Sequence, residues 1–233
     1  MRQLIKAGLR RMGQATTPIS QTYDACRGAA FRRGGVDLVI DVGANSGQYA
    51  RSLREGGYDG PIYSIEPLPD AFATLSESMN HDPLWSGMQA AAGSAPGRAS
   101  INVSADSVCS SLLKPTASLI DAIPTAQIVK QIEVEVIRLD AVDLPKSSRI
   151  ALKLDVQGFE KQALEGASAL LSRIAFLEME LALEPGYEGA YTLSSALPEI
   201  EALGFEIASV GRGYSDPVTG RLIDMDVLFE HRR

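Results

Sequence analysis

Leu38-Val39-Ile40-Asp41-Val42-Gly43-Ala44-Asn45-Ser46-Gly47-Gln48-Tyr49 is an apolar run that ends in an acid and breaks into a glycine-spaced turn. Such a run reads as a buried strand feeding a loop and then a helix. Glycine serves three needs at a joint of this kind: a tight turn, close approach of backbone to a ligand, and packing of helix on strand. The amides at the start of the following helix are expected to face that ligand. Taken alone, the stretch places a nucleotide-like or nucleoside-like molecule at the carboxyl end of the first strand.

Outward from this joint, strands and helices alternate. A helix near residues 46–56 ends at Gly56-Gly57, Pro61-Ile62-Tyr63-Ser64-Ile65-Glu66 reads as a second strand, and residues 68–79 as a second helix. The apolar segment 85–92 is expected to form a third strand. The rhythm resumes with Arg149-Ile150-Ala151-Leu152-Lys153-Leu154-Asp155, a helix over 160–172, a strand over 174–181, a helix over 194–203 and strands at 205–210 and 226–230. This alternation predicts an α/β fold with a mostly parallel sheet, helices on both faces and an antiparallel terminal hairpin. Between the two halves, residues 93–138 hold two stretches of alternating polar and apolar residues around a segment rich in serine, proline and alanine. They are expected to form a small β excursion whose loop either closes over the site or elaborates the surface.

The chain of 233 residues, 45% apolar, supports one sizeable core, and a single domain over 36–233 is expected. Its net charge of −7 is uneven. Residues 1–35 carry seven basic side chains against the single acid Asp24, so this extension holds +6 and the remainder −13. An acidic body repels nucleic-acid phosphates, and no nucleic-acid substrate is expected. Residues 2–13 pattern as a basic amphipathic helix, suited to covering the core edge or to peripheral contact with an anionic membrane, and Arg32-Arg33-Gly34-Gly35 reads as a flexible approach to the first strand. Cys26 and Cys109 lack metal spacing and read as reduced thiols of a cytoplasmic protein. No run approaches the roughly 20 apolar residues that span a bilayer, and no secretory signal is visible.

Asp41 and Glu66 each end a strand, 25 positions apart, and an acid there can accept both hydroxyls of a ribose. That requirement is common to NAD and S-adenosylmethionine (SAM). The glycines discriminate weakly: Asn45 stands where a dinucleotide fingerprint has its middle glycine. Asp155 ends the fourth parallel strand, Lys153 lies two residues before it, and Glu180 ends the next strand. Asp155 is a candidate base or orienting group for an acceptor hydroxyl. Glu180 is a second catalytic candidate that could join Asp155 in binding the acceptor; the two could also contribute to a Mg²⁺ site, a weaker reading because a third ligand is missing.

Val39-Ile40-Asp41-Val42-Gly43-Ala44-Asn45-Ser46-Gly47, Ile65-Glu66-Pro67 and Leu152-Lys153-Leu154-Asp155-Val156-Gln157-Gly158-Phe159-Glu160 resemble the signatures of FkbM-type SAM-dependent methyltransferases. Glu178-Met179-Glu180-Leu181, Tyr187-Glu188-Gly189 and Asp216-Pro217 extend the resemblance to most of residues 36–230. It implies a Rossmann-like class I fold with a seven-stranded sheet, and methyl transfer to an oxygen of a small-molecule, sugar or glycolipid acceptor. By position, Gly43, Ala44, Asn45 and Gly47 would line the methionine part of SAM, Asp41 would hold its amino group, Glu66 the ribose, and the region of Ala91 the adenine. An NAD-dependent oxidoreductase and an inactive SAM-binding interaction module are the rival readings.

Overall fold

The computed structural model describes residues 21–216 and 219–232. The amphipathic helix expected at 2–13 lies outside them. The first described helix, α1 (Tyr23–Gly34), starts at Thr22, whose hydroxyl accepts from the Ala25 amide, and ends at Gly35 in the left-handed conformation. This corrects the expectation of a flexible approach: Arg32, Arg33 and Gly34 are the last turn of a helix that packs on the sheet, with the Phe31 ring 5.5 Å from that of Phe176.

The main sheet has seven strands, β1 (Leu38–Val42), β2 (Ile62–Ile65), β3 (Trp85–Met88), β7 (Ile150–Leu154), β8 (Ile174–Ala182), β9 (Phe205–Val210) and β10 (Asp224–His231). Their order is β3-β2-β1-β7-β8-β10-β9, and β10 runs antiparallel to both neighbours. Every residue of β1 is buried, as expected of a parallel strand covered on both faces. Leu38, Ile40 and Val42 pack with Ala163 of α5 (Glu160–Glu165) and Ile200 of α6 (Leu193–Ala202). Val39, on the opposite face, packs with Phe31, with Ala50 and Leu53 of α2 (Gln48–Glu55), and with Leu75 of α3 (Pro69–Met79). Strand alternation puts Asp41 on this second face. The chain leaves β1 toward β2 and β3 on one side and returns to β7 on the other. A crevice therefore opens at the carboxyl ends of β1 and β7, where open α/β sheets bind ligands.

Two expected elements break. The run 85–92 divides after Met88, because β2 gives way to Glu66-Pro67 and proline has no N–H with which to continue the ladder. Ala91–Ala92 instead forms β4, which pairs parallel with β6 (Ile128–Ile137) in a second sheet of order β4-β6-β5, completed by β5 (Gly97–Ser104). The helix expected over 160–172 stops at Glu165 and resumes as a 3₁₀ turn over Ser168–Arg173. Gly166 lies between them, where a Cβ atom would sit 2.2 Å from the Gly93 carbonyl oxygen. The excursion is completed by the short α4 (Ala117–Ala122). Among the described residues no helix is long and apolar enough to cross a membrane.

Candidate functional site

The joint after β1 is a turn with three residues in left-handed conformation: Gly43 (φ 77°), Asn45 (φ 45°) and Gly47 (φ 92°). At Gly43 a Cβ atom would lie 1.8 Å from the Asp155 carbonyl oxygen, so this glycine lets the ends of β1 and β7 meet. Asparagine tolerates the position that the middle glycine of a dinucleotide fingerprint would occupy. The amides of the turn itself are engaged within the protein. Gly43 and Ala44 donate to the Ile65 carbonyl, Asn45 to Glu66 Oε2, Ser46 to Asn45 Oδ1, and Gly47 to the Ala44 carbonyl. Only past the turn does α2 begin without a side-chain cap, with Gln48 and Tyr49 facing a cavity of about 280 Å³ at the carboxyl edge of the sheet.

Glu66 forms one wall of that cavity. It is 4% exposed, and each carboxyl oxygen takes one backbone amide at 2.8 Å, Asn45 N on Oε2 and Leu68 N on Oε1. Burial pushes its pKa up to about 7 against the pull of those amides. Beside it the cavity is apolar, bordered by Ala90, Ala91, Ala92, Ile101 and Leu112. The excursion loop closes over it: Ser107 Oγ accepts from the Asn45 side chain at 3.0 Å, and Ser111 Oγ donates to the Gln157 carbonyl at 2.7 Å.

The opposite wall is built from charged side chains. Lys153 Nζ stands 3.1 Å from Asp155 Oδ2, 3.4 Å from Asp41 Oδ1 and 3.4 Å from the Gly43 carbonyl. Burial pulls this ammonium down, but the attraction of Asp155 and Asp41 outweighs it and holds its pKa above the ordinary lysine value. Gln157, in left-handed conformation at φ 55°, donates through Nε2 to Asp155 at 2.9 Å and to Glu180 at 2.5 Å. Repulsion from Asp155, together with burial, holds the Glu180 carboxyl well above the usual carboxylate range.

Of the residues singled out from sequence, Gly43, Ala44, Asn45, Glu66, Ala91 and Asp155 border this cavity, whereas Asp41, Gly47 and Glu180 do not. Asp41 is fully buried beneath it, between Lys153 and the Ser64 hydroxyl, and Glu180 lies behind Gln157. Sequence reasoning missed Arg27, Tyr49 and Glu178. Arg27, 4% exposed, pairs with Glu178 at 3.1 Å, the Tyr49 hydroxyl donates to Glu178 at 2.5 Å, and the Arg27 guanidinium lies 4.5 Å from the centre of the Tyr49 ring. One signal was present: Glu178 ends the apolar run 174–177 inside a buried strand and requires a buried partner. Among the described residues, no cluster of three or more His, Cys, Asp or Glu side chains is arranged to hold a metal ion.

A glycine turn closed on itself, a buried acid following β2 and an acid at the end of β7 fall within the segment that the sequence match covers. The methyltransferase FkbM domain family matches residues 41–207, most of the chain. The chain belongs to that family. Among solved structures this FkbM-type domain is similar to methyltransferase FkbM from Methylobacillus flagellatus KT, at 16% identity and a TM-score of 0.53 over 91% of the present chain. It spans about half of that protein, 48% of its length. TehB from Haemophilus influenzae aligns at 9% identity with a TM-score of 0.48, covering 88% of this chain and 60% of TehB. No curated protein matches the sequence.

Proposed function

We propose that the domain transfers the methyl group of SAM to a hydroxyl oxygen of a small-molecule, sugar or glycolipid acceptor. The observation that carries this reading is that Glu66 and Asp155 stand on opposite walls of one and the same cavity. Glu66 retains acceptor capacity beyond its two amide bonds, which suits a ribose diol. The apolar border at Ala90, Ala91, Ala92 and Ile101 suits adenine, and the uncapped start of α2 suits the methionine carboxylate. A pyrophosphate is poorly served, because the turn amides that would bind it are spent within the protein. That disfavours NAD.

When bound, SAM supplies an electrophilic methyl on a sulfonium centre. The protein's part is to position the acceptor oxygen in line and to manage its proton. Asp155 borders the cavity and takes the role of hydrogen-bond acceptor or base for the hydroxyl. Lys153 and Gln157 fix both of its oxygens, so the carboxyl is oriented before the acceptor arrives. Gln157 ties Asp155 to Glu180, whose carboxyl is raised well above its ordinary range by repulsion from Asp155 and by burial.

Titration of the purified protein with SAM, S-adenosylhomocysteine and NAD tests the reading; binding of NAD alone would overturn it. A lipid-linked acceptor accords with contact of the basic segment 1–35 with an anionic membrane. Liposome co-sedimentation with and without residues 1–20 reads that contact.

A further inference from the structure

Behind Gln157 lies a second cavity, of about 50 Å³, which the methyl-transfer reading leaves without a role. Gln157 borders both spaces. The smaller one is lined by three carboxyl side chains, Glu160, Glu180 and Asp224, and by no lysine, arginine or histidine. Glu160 is 1% exposed. Its Oε1 accepts the Val156 and Gly158 amides, each at 3.0 Å, while its Oε2 is buried with no hydrogen-bond partner. Leaving such a group unmatched is costly, and a native structure seldom does so without a reason.

Apart from the Cys109 thiol, a weak donor, the side-chain donors around the cavity are already engaged. The Tyr191 hydroxyl lies 3.1 Å from Glu199, the Tyr187 hydroxyl 2.9 Å from both the Cys109 carbonyl and Gln157 Oε1, and Gln157 Nε2 serves Asp155 and Glu180. The wall therefore accepts, and its occupant has to donate. Burial raises the Glu160 pKa to about 7 and that of Asp224 above its ordinary value, while repulsion from Asp155 and burial raise Glu180. A neutral hydroxyl would satisfy Glu160 Oε2 but leave the carboxyls repelling one another. An ammonium group offers three donors and a charge that relieves this repulsion. The volume admits one small group of that kind.

We propose that this cavity binds the ammonium group of the methyl acceptor, making the acceptor an amino alcohol or amino sugar whose hydroxyl lies at Asp155. The assignment rests on the methyl-transfer reading for the word acceptor, but ammonium binding itself is measurable without turnover. The experiment is an NMR titration of full-length protein labelled with ¹³C at glutamate carboxyl carbons, the Glu160 resonance being identified by its loss in Glu160→Gln. Ethanolamine and its neutral counterpart ethylene glycol are the probes, each with and without S-adenosylhomocysteine.

A saturable shift of the Glu160 resonance by ethanolamine, with affinity about tenfold or more above that for ethylene glycol, is expected, as is about a tenfold weakening in Glu180→Gln. Asp224→Asn, checked by circular dichroism, provides a second variant with the same expected direction. Equal response to both probes, response to neither, or a response insensitive to both variants overturns the proposal. Failure of S-adenosylhomocysteine to bind, with the ethanolamine response intact, would instead sink the methyl-transfer reading alone.

Discussion

The two walls of the larger cavity are held by different means. On the Glu66 side, one carboxyl is fixed by two backbone amides and faces an apolar surface. On the Asp155 side, carboxyls of β1, β8 and the end of β7 are fixed by other side chains: Lys153 between Asp41 and Asp155, Gln157 between Asp155 and Glu180, Arg27 on Glu178. Backbone fixation survives side-chain change nearby, whereas a network of buried charges fails when one member is removed. The first wall suits a ligand that never varies, and the second a ligand whose recognition is tuned residue by residue.

Asp155→Asn is expected to break the contrast most sharply. Turnover should fall by about 10²–10⁴-fold, the range for loss of a positioned base, with S-adenosylhomocysteine affinity unchanged by calorimetry. Unchanged turnover would remove Asp155 from the chemistry. Arg27→Met strands Glu178 without its cation and should cost about 3–5 kcal/mol in urea unfolding. A loss under about 1 kcal/mol would mean that the charged wall tolerates gaps like an exposed surface.

Glu66→Ala is expected to weaken SAM binding by about 1.5–3 kcal/mol, roughly 10- to 150-fold, with little change in the rate constant at saturating SAM. A fall in that rate constant with affinity preserved would place Glu66 on the reacting side instead. The smallest effect is in pH. With its pKa raised to about 7, Glu66 is mostly protonated at pH 6 and mostly ionised at pH 8. Ribose hydroxyls favour the ionised acceptor, so SAM affinity should rise by up to about tenfold across that interval, with proton release on binding at pH 6. Glu66→Gln should flatten the profile; an unaltered profile would assign the titration to another group.

The Glu66 wall was the more legible from sequence. An apolar run ending at Asp41, glycines at 43 and 47 and an acid closing the next strand are local signals, and the site they predict is built largely from chain neighbours. The split of segment 85–92 was hidden because residues 91 and 92 are as apolar as residue 85 suggests, and only the proline closing β2 ends the pairing. Arg27 was hidden for a different reason: in sequence it is one base among seven in an extension, and its partner lies 151 positions away.

By itself the sequence determined the strand-turn-helix joint, the mostly parallel sheet, the acids at the ends of β2, β7 and β8, and the FkbM family. Those follow from hydrophobic period and backbone conformational demand, both of which act over a few residues. The tertiary structure alone decided that Asp41 lies beneath the cavity, that Gln157 joins Asp155 to Glu180, and that Glu160 turns an unmatched oxygen toward no protein donor. The strength of a charge interaction depends on burial and on separations of a few ångströms, and strands distant in sequence acquire both only when the sheet brings them side by side.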